Sequence, residues 1–251
     1  MKIETFIFVH DEQIILEFLK VKKFSSLPNL KYVFLGNKSV EKVKDLDNII
    51  IARDLKYNME EYPKFTSFTG WYALWKNNLI NSDYVNLFEY DINIKDELPD
   101  RIENIINENS PDFIGYQPLS LTAFDYISNI RWVSDIIPSI KKHYDVDIYD
   151  LVNKIIQNKE YGGVWSCTSN STFSRQSFIE YMTWFEKLIS DLKDTQTCGH
   201  AHERSTSFFC FIHKKNISII HNLMSHFQLD SHKTQGHHVD FDLSMKRLTS
   251  E

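Results

Sequence analysis

Glycine is scarce in this chain, with 7 in 251 residues. No Gly-x-Gly-x-x-Gly follows the first apolar segment and no Gly-x-x-x-x-Gly-Lys-Ser/Thr occurs anywhere. Cradling of phosphates by backbone alone, as in dinucleotide-binding and P-loop enzymes, is therefore disfavoured. A Gly-x-Ser-x-Gly elbow is also missing, which argues against an α/β-hydrolase. The three cysteines, Cys167, Cys198 and Cys210, show no paired spacing; a reducing compartment, the cytoplasm, is expected. Positive charge is not in excess: 28 Lys and Arg stand against 34 Asp and Glu, a net charge of −6. Bulk electrostatics thus give no support to a nucleic-acid partner. No apolar run approaches the roughly 18–20 residues of a membrane span. The opening MKIETFIFVH leads directly into charged residues and reads as a strand, not as a signal peptide.

What is present is an ordinary globular balance, 42% hydrophobic and 25% charged, with a high 14% of aromatics that are expected mainly in the core. The length suits one α/β domain with a sizeable core. Residues 5–10, 32–36, 48–52, 84–94 and 112–117 are short β-rich runs, and helical patterns at 14–21, 64–80 and 99–109 lie between them. This alternation predicts a mostly parallel sheet flanked by helices, a Rossmann-like α/β architecture. In such sheets ligands bind beyond the carboxyl ends of the strands. The second half reads differently: helices at 124–143, 147–158, 173–192 and about 202–214, strands at 163–167 and 217–222, and a His-, Ser- and Asp-rich loop or tail from 224 to 251. By analogy with folds that add a helical segment after a nucleotide-binding half, residues 1–120 are expected to bind the nucleotide and 121–251 to form a helical acceptor-side region, within one continuous domain.

The most informative segment is YVNLFEYDINI, residues 84–94. If the strand runs through, alternation sends Glu89 and Asp91 to the same side, where two carboxylates can share a hard cation. An acid-x-acid pair is common by chance, so its neighbours matter. Just upstream, Thr69-Gly70-Trp71-Tyr72-Ala73-Leu74-Trp75-Lys76-Asn77 forms a helix leading into the acidic strand. An aromatic helix ending in Trp-Lys-Asn, a short turn and an apolar strand ending acid-x-acid resembles GT-A-type glycosyltransferases. It is particularly similar to bacterial polysaccharide- and lipopolysaccharide-synthesis transferases with a WKN-type helix.

That resemblance implies a GT-A-like fold and a metal-assisted transfer of sugar from a nucleotide-diphosphate donor. Glu89 and Asp91 become the diphosphate–metal site for Mn²⁺ or Mg²⁺; Glu replaces the usual first Asp, so Asp91 is the surer ligand. Lys76 and Asn77 become donor-side contacts, with Tyr90 beside the acidic pair and His10 and Arg53 bordering the nucleotide base. In the second half, Phe178, Tyr181, Trp184, Phe185 and Leu188 recur at helical spacing, which favours core packing. Trp165 and Asn170, at the approach to that helix, are the acceptor-binding candidates. Glu203 falls in the first turn of the 202–214 helix, where the dipole favours an anion, and it is the candidate general base of an inverting reaction. A histidine near the C-terminus often completes the metal shell in this family. His226 and His232 are the candidates here. A separate zinc site lacks any HExxH or paired His/Cys spacing and is the weaker idea.

The expected acceptor is a hydroxyl of a glycan or lipid-linked glycan, with peripheral membrane contact open. Two alternatives stand beside this. A sugar-phosphate nucleotidyltransferase would also use carboxylate-held metal, but His10-Asp11-Glu12 is not its Gly-rich N-terminal signature. A non-catalytic carbohydrate-binding protein would keep the fold and lack metal-dependent nucleotide binding.

Overall fold

The computed structural model describes residues 1–116, 118–121, 135–166, 168–195 and 198–226. Strand β1 (Ile3–Val9) leads into α1 (Glu12–Val21), which Asp11 caps through its side chain at Gln13 N. Strands β2 (Leu30–Phe34) and β3 (Ile49–Ile51) follow, then a 3₁₀ turn (Pro63–Phe65) and α2 (Phe68–Lys76). Next come β4 (Tyr84–Glu89), β5 (Ile92–Ile94), α3 (Leu98–Asn109), β6 (Phe113–Tyr116) and β7 (Leu119–Ser120). The second half holds α4 (Ile136–Tyr144), α5 (Ile148–Asn158), β8 (Val164–Trp165), β9 (Ser171–Ser174), α6 (Arg175–Glu186), α7 (Ile189–Leu192), α8 (Cys198–Ile212), β10 (Ile217–Ile220) and β11 (Met224–His226).

Among the described residues the main sheet has seven strands in the order β10-β6-β9-β4-β1-β2-β3. Every pair is parallel except the two made by β9, which is antiparallel to both β4 and β6. The chain steps from β1 outward to β3 and then returns to pair β4 on the other side of β1. That reversal creates a switch point at the carboxyl ends of β1 and β4.

Alternation along the central strands feeds two separate cores. Phe6 and Phe8 of β1, with Val85 and Leu87 of β4, pack under α2, α6 and α8. Ile7 and Val9, with Tyr84 and Phe88, pack under α1 and α3. The first core is where the aromatics are concentrated. Trp71 is fully buried and meets Phe173, Tyr181 and His202 edge-on at 5.3–6.0 Å. The rings of α6 lie here, as their spacing predicts.

The structure departs from the sequence reading at five places. The expected 64–80 helix is broken at Thr66, whose φ of 53° and ψ of −128° end the 3₁₀ turn before α2 begins. The expected 84–94 strand is two strands separated by a turn at Tyr90 and Asp91. The expected 173–192 helix begins instead with β9, and a second break follows Glu186. The last helix starts at Cys198, four residues before the expected 202. Met224–His226, expected as tail, is a strand antiparallel to β5.

Strand β9 escaped the apolar pattern because its middle is polar. Thr172 Oγ1 donates to Asn86 Oδ1 at 2.6 Å, and Asn86 Nδ2 donates to Thr5 Oγ1 at 3.0 Å. Tyr116 Oη lies 2.7 Å from Thr172 Oγ1. The four residues form one buried polar chain across β6, β9, β4 and β1, which satisfies groups that would otherwise be costly inside the sheet. No described helix is long and apolar enough to cross a membrane.

Candidate active site

A pocket of about 320 Å³ opens at the switch point. Its wall is Phe8, Val9 and His10 at the end of β1, Leu35 and Gly36 after β2, Glu60, the 63–69 segment entering α2, and Glu89, Tyr90 and Asp91 after β4. Three of these residues are carboxylates, and none is Lys or Arg.

Glu89 is the most firmly held. It pairs in register with Phe8 on the adjacent strand. Its Oε1 accepts the hydroxyl protons of Ser169 at 2.6 Å and Ser67 at 3.0 Å, and its backbone N–H donates to Asn170 Oδ1 at 2.8 Å. Ser67, Ser169 and Asn170 are all buried. Behind Ser67, His202 Nε2 approaches the hydroxyl at 3.5 Å. His202 is buried between Phe68 and Trp71, and that desolvation pushes its pKa down to about 3, so the ring is neutral. Ser67, Ser169 and His202 carry no spacing signal in the sequence; only the fold brings them together.

Asp91 lines the same pocket, but not by strand alternation. It stands in the turn between β4 and β5, so the two carboxylates converge because the chain bends there. The β5–β11 pairing sets His226 directly opposite Ile92, next to Asp91. The fold thus brings the backbone of one expected histidine to the acidic turn. His232 lies outside the described residues. Among the described residues no group of three or more His, Cys, Asp or Glu forms a ready cation cage. The oxygen-rich acidic turn itself suits a hard cation.

Tyr90 and His10 face each other across the pocket mouth, ring centroids 5.1 Å apart and edge to face. Burial first, then the charges of Asp91, Glu89 and Asp11, raise the Tyr90 pKa and keep the phenol protonated. The His10 ring reaches solvent, yet the protein mass around it lowers its pKa. Lys38 adds to this, against the opposing pull of Asp11 and Asp91.

Other expected contacts sit elsewhere. Lys76 and Asn77 occupy the far end of α2, about 10 Å along the helix from Thr69. Lys76 pairs with Glu186 at 2.6 Å, and Asn77 donates to Tyr57 O and Ala73 O. Both brace the helix end, and neither lines the pocket. Arg53 does not line the pocket; its guanidinium holds Gly36 O at 3.0 Å and Lys38 O at 2.8 Å, bracing the loop that does. Trp165 is 1% exposed and stacks on Phe208, so it has no face to offer a sugar. Asn170 is fully buried and spends its carbonyl oxygen on Glu89, a supporting place and not an acceptor contact.

Glu203 lies in the second turn of α8, not the first. The helix begins earlier because Gly199 packs against the 63–66 segment, where an added Cβ would come within 2.7 Å of Lys64 O. Residues 199, 203 and 207 share a face at helical spacing. Gly199 meets Thr66 and Ser207 bonds Ser166, so Glu203 is carried between the two segments that supply Ser67 and Ser169. Its carboxylate pairs with Arg204 and meets His200 Nδ1 at 3.4 Å.

The apo structure of WbbM, a bifunctional glycosyltransferase, shares this architecture with a TM-score of 0.58 at 13% identity, over 91% of the present chain and 46% of that one. The fold is GT-A-like. TarS 1–349 of S. aureus aligns over 88% of this chain and 58% of its own, at 14% identity and a TM-score of 0.45. The chain thus spans about half the length of the WbbM chain it matches. No protein-family model and no curated protein matches the sequence. In this GT-A-like frame the pocket occupies the crevice that the strand order predicts.

Proposed function

We propose that the protein is a glycosyltransferase that moves a sugar from a nucleotide-diphosphate donor to a hydroxyl of a glycan or lipid-linked glycan, assisted by Mn²⁺ or Mg²⁺. The observation that carries this reading is the charge of the pocket: among the described residues, Glu60, Glu89 and Asp91 line it without a single Lys or Arg. A diphosphate entering alone would meet like charge at short range. With a hard divalent cation at the β4 end, Glu89 and Asp91 become ligands, and the pocket becomes selective for a metal–diphosphate unit. The cation, when bound, neutralises the charge of the departing diphosphate.

Asp91 is the principal ligand in this reading. Glu89 is held ready by two serine hydroxyls, and His226 is the third candidate through its pairing with Ile92. His10 and Tyr90 border the donor. In the inverting form of the reaction, Glu203 takes the proton of the acceptor hydroxyl as its oxygen bonds the anomeric carbon. The bond from that carbon to the diphosphate oxygen breaks at the same time, and the nucleoside diphosphate leaves. The GT-A-like fold and the resemblance to polysaccharide-synthesis transferases support the sugar-transfer class and a glycan acceptor.

Calorimetric titration with nucleoside diphosphates, with and without Mn²⁺, tests the reading. Manganese-dependent binding of at least one nucleotide by the wild type, lost in Asp91→Ala, is the expected result. Absence of nucleotide binding under every metal condition would overturn it and bring the non-catalytic carbohydrate-binding alternative forward.

A further inference from the structure

Glu60 stands in the irregular segment between β3 and α2, and nothing in the sequence spacing marks it. Its carboxylate reaches across to the loop after β2, where Oε2 accepts the backbone N–H of Gly36. Gly36 makes this turn with a φ of +80°, a conformation glycine adopts without penalty. The other oxygen, Oε1, is shielded from water and has no hydrogen-bond partner among the described residues. An acceptor left unsatisfied in this way destabilises the ligand-free protein. Glu60 also lines the pocket, so a bound ligand can supply the missing bond.

The chemistry of that ligand group is constrained. An ionised carboxylate only accepts, so the partner is an N–H or O–H donor and not a phosphate oxygen. Arg53, the neighbouring base, already spends its guanidinium on Gly36 O and Lys38 O. Position narrows the choice further. Gly36 follows β2 and the Glu89–Asp91 turn follows β4, with β1 between them. Two strand spacings separate the two ends of the pocket by about 10 Å. With the diphosphate at the β4 end, the β2 end receives the nucleoside.

We propose that Glu60 is the nucleoside-reading residue of this pocket, its Oε1 accepting a hydrogen bond from a ribose hydroxyl or a base N–H of the donor nucleotide. The inference rests on the nucleotide-donor reading above and adds to it a specificity-determining residue.

The test is calorimetry in constant Mn²⁺ on wild type, Glu60→Gln and Glu60→Ala. The ligands are UDP, GDP, CDP, ADP and inorganic pyrophosphate, followed by the 2′-deoxy and ring-N-methyl analogues of the tightest binder. Loss of a bond to a charged acceptor predicts at least about tenfold weaker binding of that nucleotide by Glu60→Ala, with pyrophosphate affinity held within about twofold. Glu60→Gln keeps the shape and an oxygen for Gly36 N–H, so it reports the charge effect should the alanine variant fold poorly. A wild type that discriminates against the 2′-deoxy analogue, in a way Glu60→Ala does not, assigns the ribose. The same pattern with the N-methyl analogue assigns the base.

Unchanged nucleotide affinity in both variants would overturn the inference while leaving the donor reading intact. So would an equal loss for pyrophosphate, or a loss in Glu60→Ala with neither analogue affected. A wild type that binds no nucleotide would bring down the donor reading and this inference together.

Discussion

Asn86 and Glu89 stand three residues apart on β4, both held by hydrogen bonds from buried side chains, yet their networks end differently. The Asn86 network runs sideways through the sheet, from Thr5 through Asn86 and Thr172 to Tyr116, and ends inside it at both sides. The Glu89 network runs from Ser67 and Ser169 to a carboxylate at the wall of a cavity. The same strand thus carries one polar group that joins neighbouring strands and another that faces a cavity. Interior polarity alone does not mark a site; a polar network marks one when its last member faces a cavity.

The comparison breaks most visibly at its closed end. Asn86→Leu takes the amide from the Thr5 and Thr172 hydroxyls, leaving Thr172 only Tyr116, and is expected to cost about 3 kcal/mol of stability. A lower urea midpoint, with nucleotide affinity unchanged in the folded fraction, is the expected signature. At the open end, Asp91→Asn reverses the pattern: about 100-fold, or 2.7 kcal/mol, is lost in Mn²⁺-dependent nucleotide binding with the urea midpoint kept. If Asn86→Leu weakened the nucleotide as much as Asp91→Asn does, the two networks would be one.

His202 ties the open network to α8, and its pKa gives a pH test. The folded value of about 3 lies below the 6.5 of an exposed imidazole, so the unfolded chain binds the proton more tightly. The stability from the neutral ring is complete above pH 6.5 and drains as pH falls toward 3. Between pH 7 and 5 the loss is about 2 kcal/mol, measurable by denaturation at each pH, and His202→Gln is expected to flatten the slope. Ser169→Ala is a smaller change. It removes one of the two hydroxyls on Glu89 Oε1 and is expected to cost about 1 kcal/mol, roughly fivefold, in Mn²⁺-dependent nucleotide affinity.

Much of the frame was legible from the sequence because it follows apolar periodicity. Strands β1, β2, β4 and β6 and helices α3 and α5 lie close to where their patterns put them, and the parallel sheet follows from their alternation. Strand β9 was hidden because Ser171 and Thr172 are polar, and their burial makes sense only once Asn86 and Tyr116 are beside them. The start of α8 was hidden because Gly199 looks like a stop until its close contact with Lys64 O is seen. At the site, His10, Glu89, Tyr90 and Asp91 were legible from the strand ends they follow. Glu60, Ser67 and Ser169 were not, since single polar residues in irregular segments have no period and converge only through the fold. The Trp-Lys-Asn motif pointed to the fold that the comparison shows, while its polar members, Lys76 and Asn77, sit at the end of their helix away from the pocket.

The two ends of α2 provide the last and smallest effect. At its entry Ser67 bonds Glu89, whereas at its exit Lys76 pairs with Glu186 at 2.6 Å and lies over the Trp75 ring at 4.0 Å. The Lys76 and Glu186 side chains keep 29% and 41% of their exposure, so solvent screens the pair. A partly exposed pair of this kind contributes about 0.5 kcal/mol, and the cation–π contact a similar amount. Lys76→Met is therefore expected to lower stability by no more than about 1 kcal/mol. Its Mn²⁺-dependent nucleotide affinity should match the wild type, because the helix length separates the side chain from the pocket. A tenfold loss of nucleotide affinity in this variant would mean that the exit of α2 reaches the donor after all. The division of α2 into a site-building entry and a bracing exit would then fail.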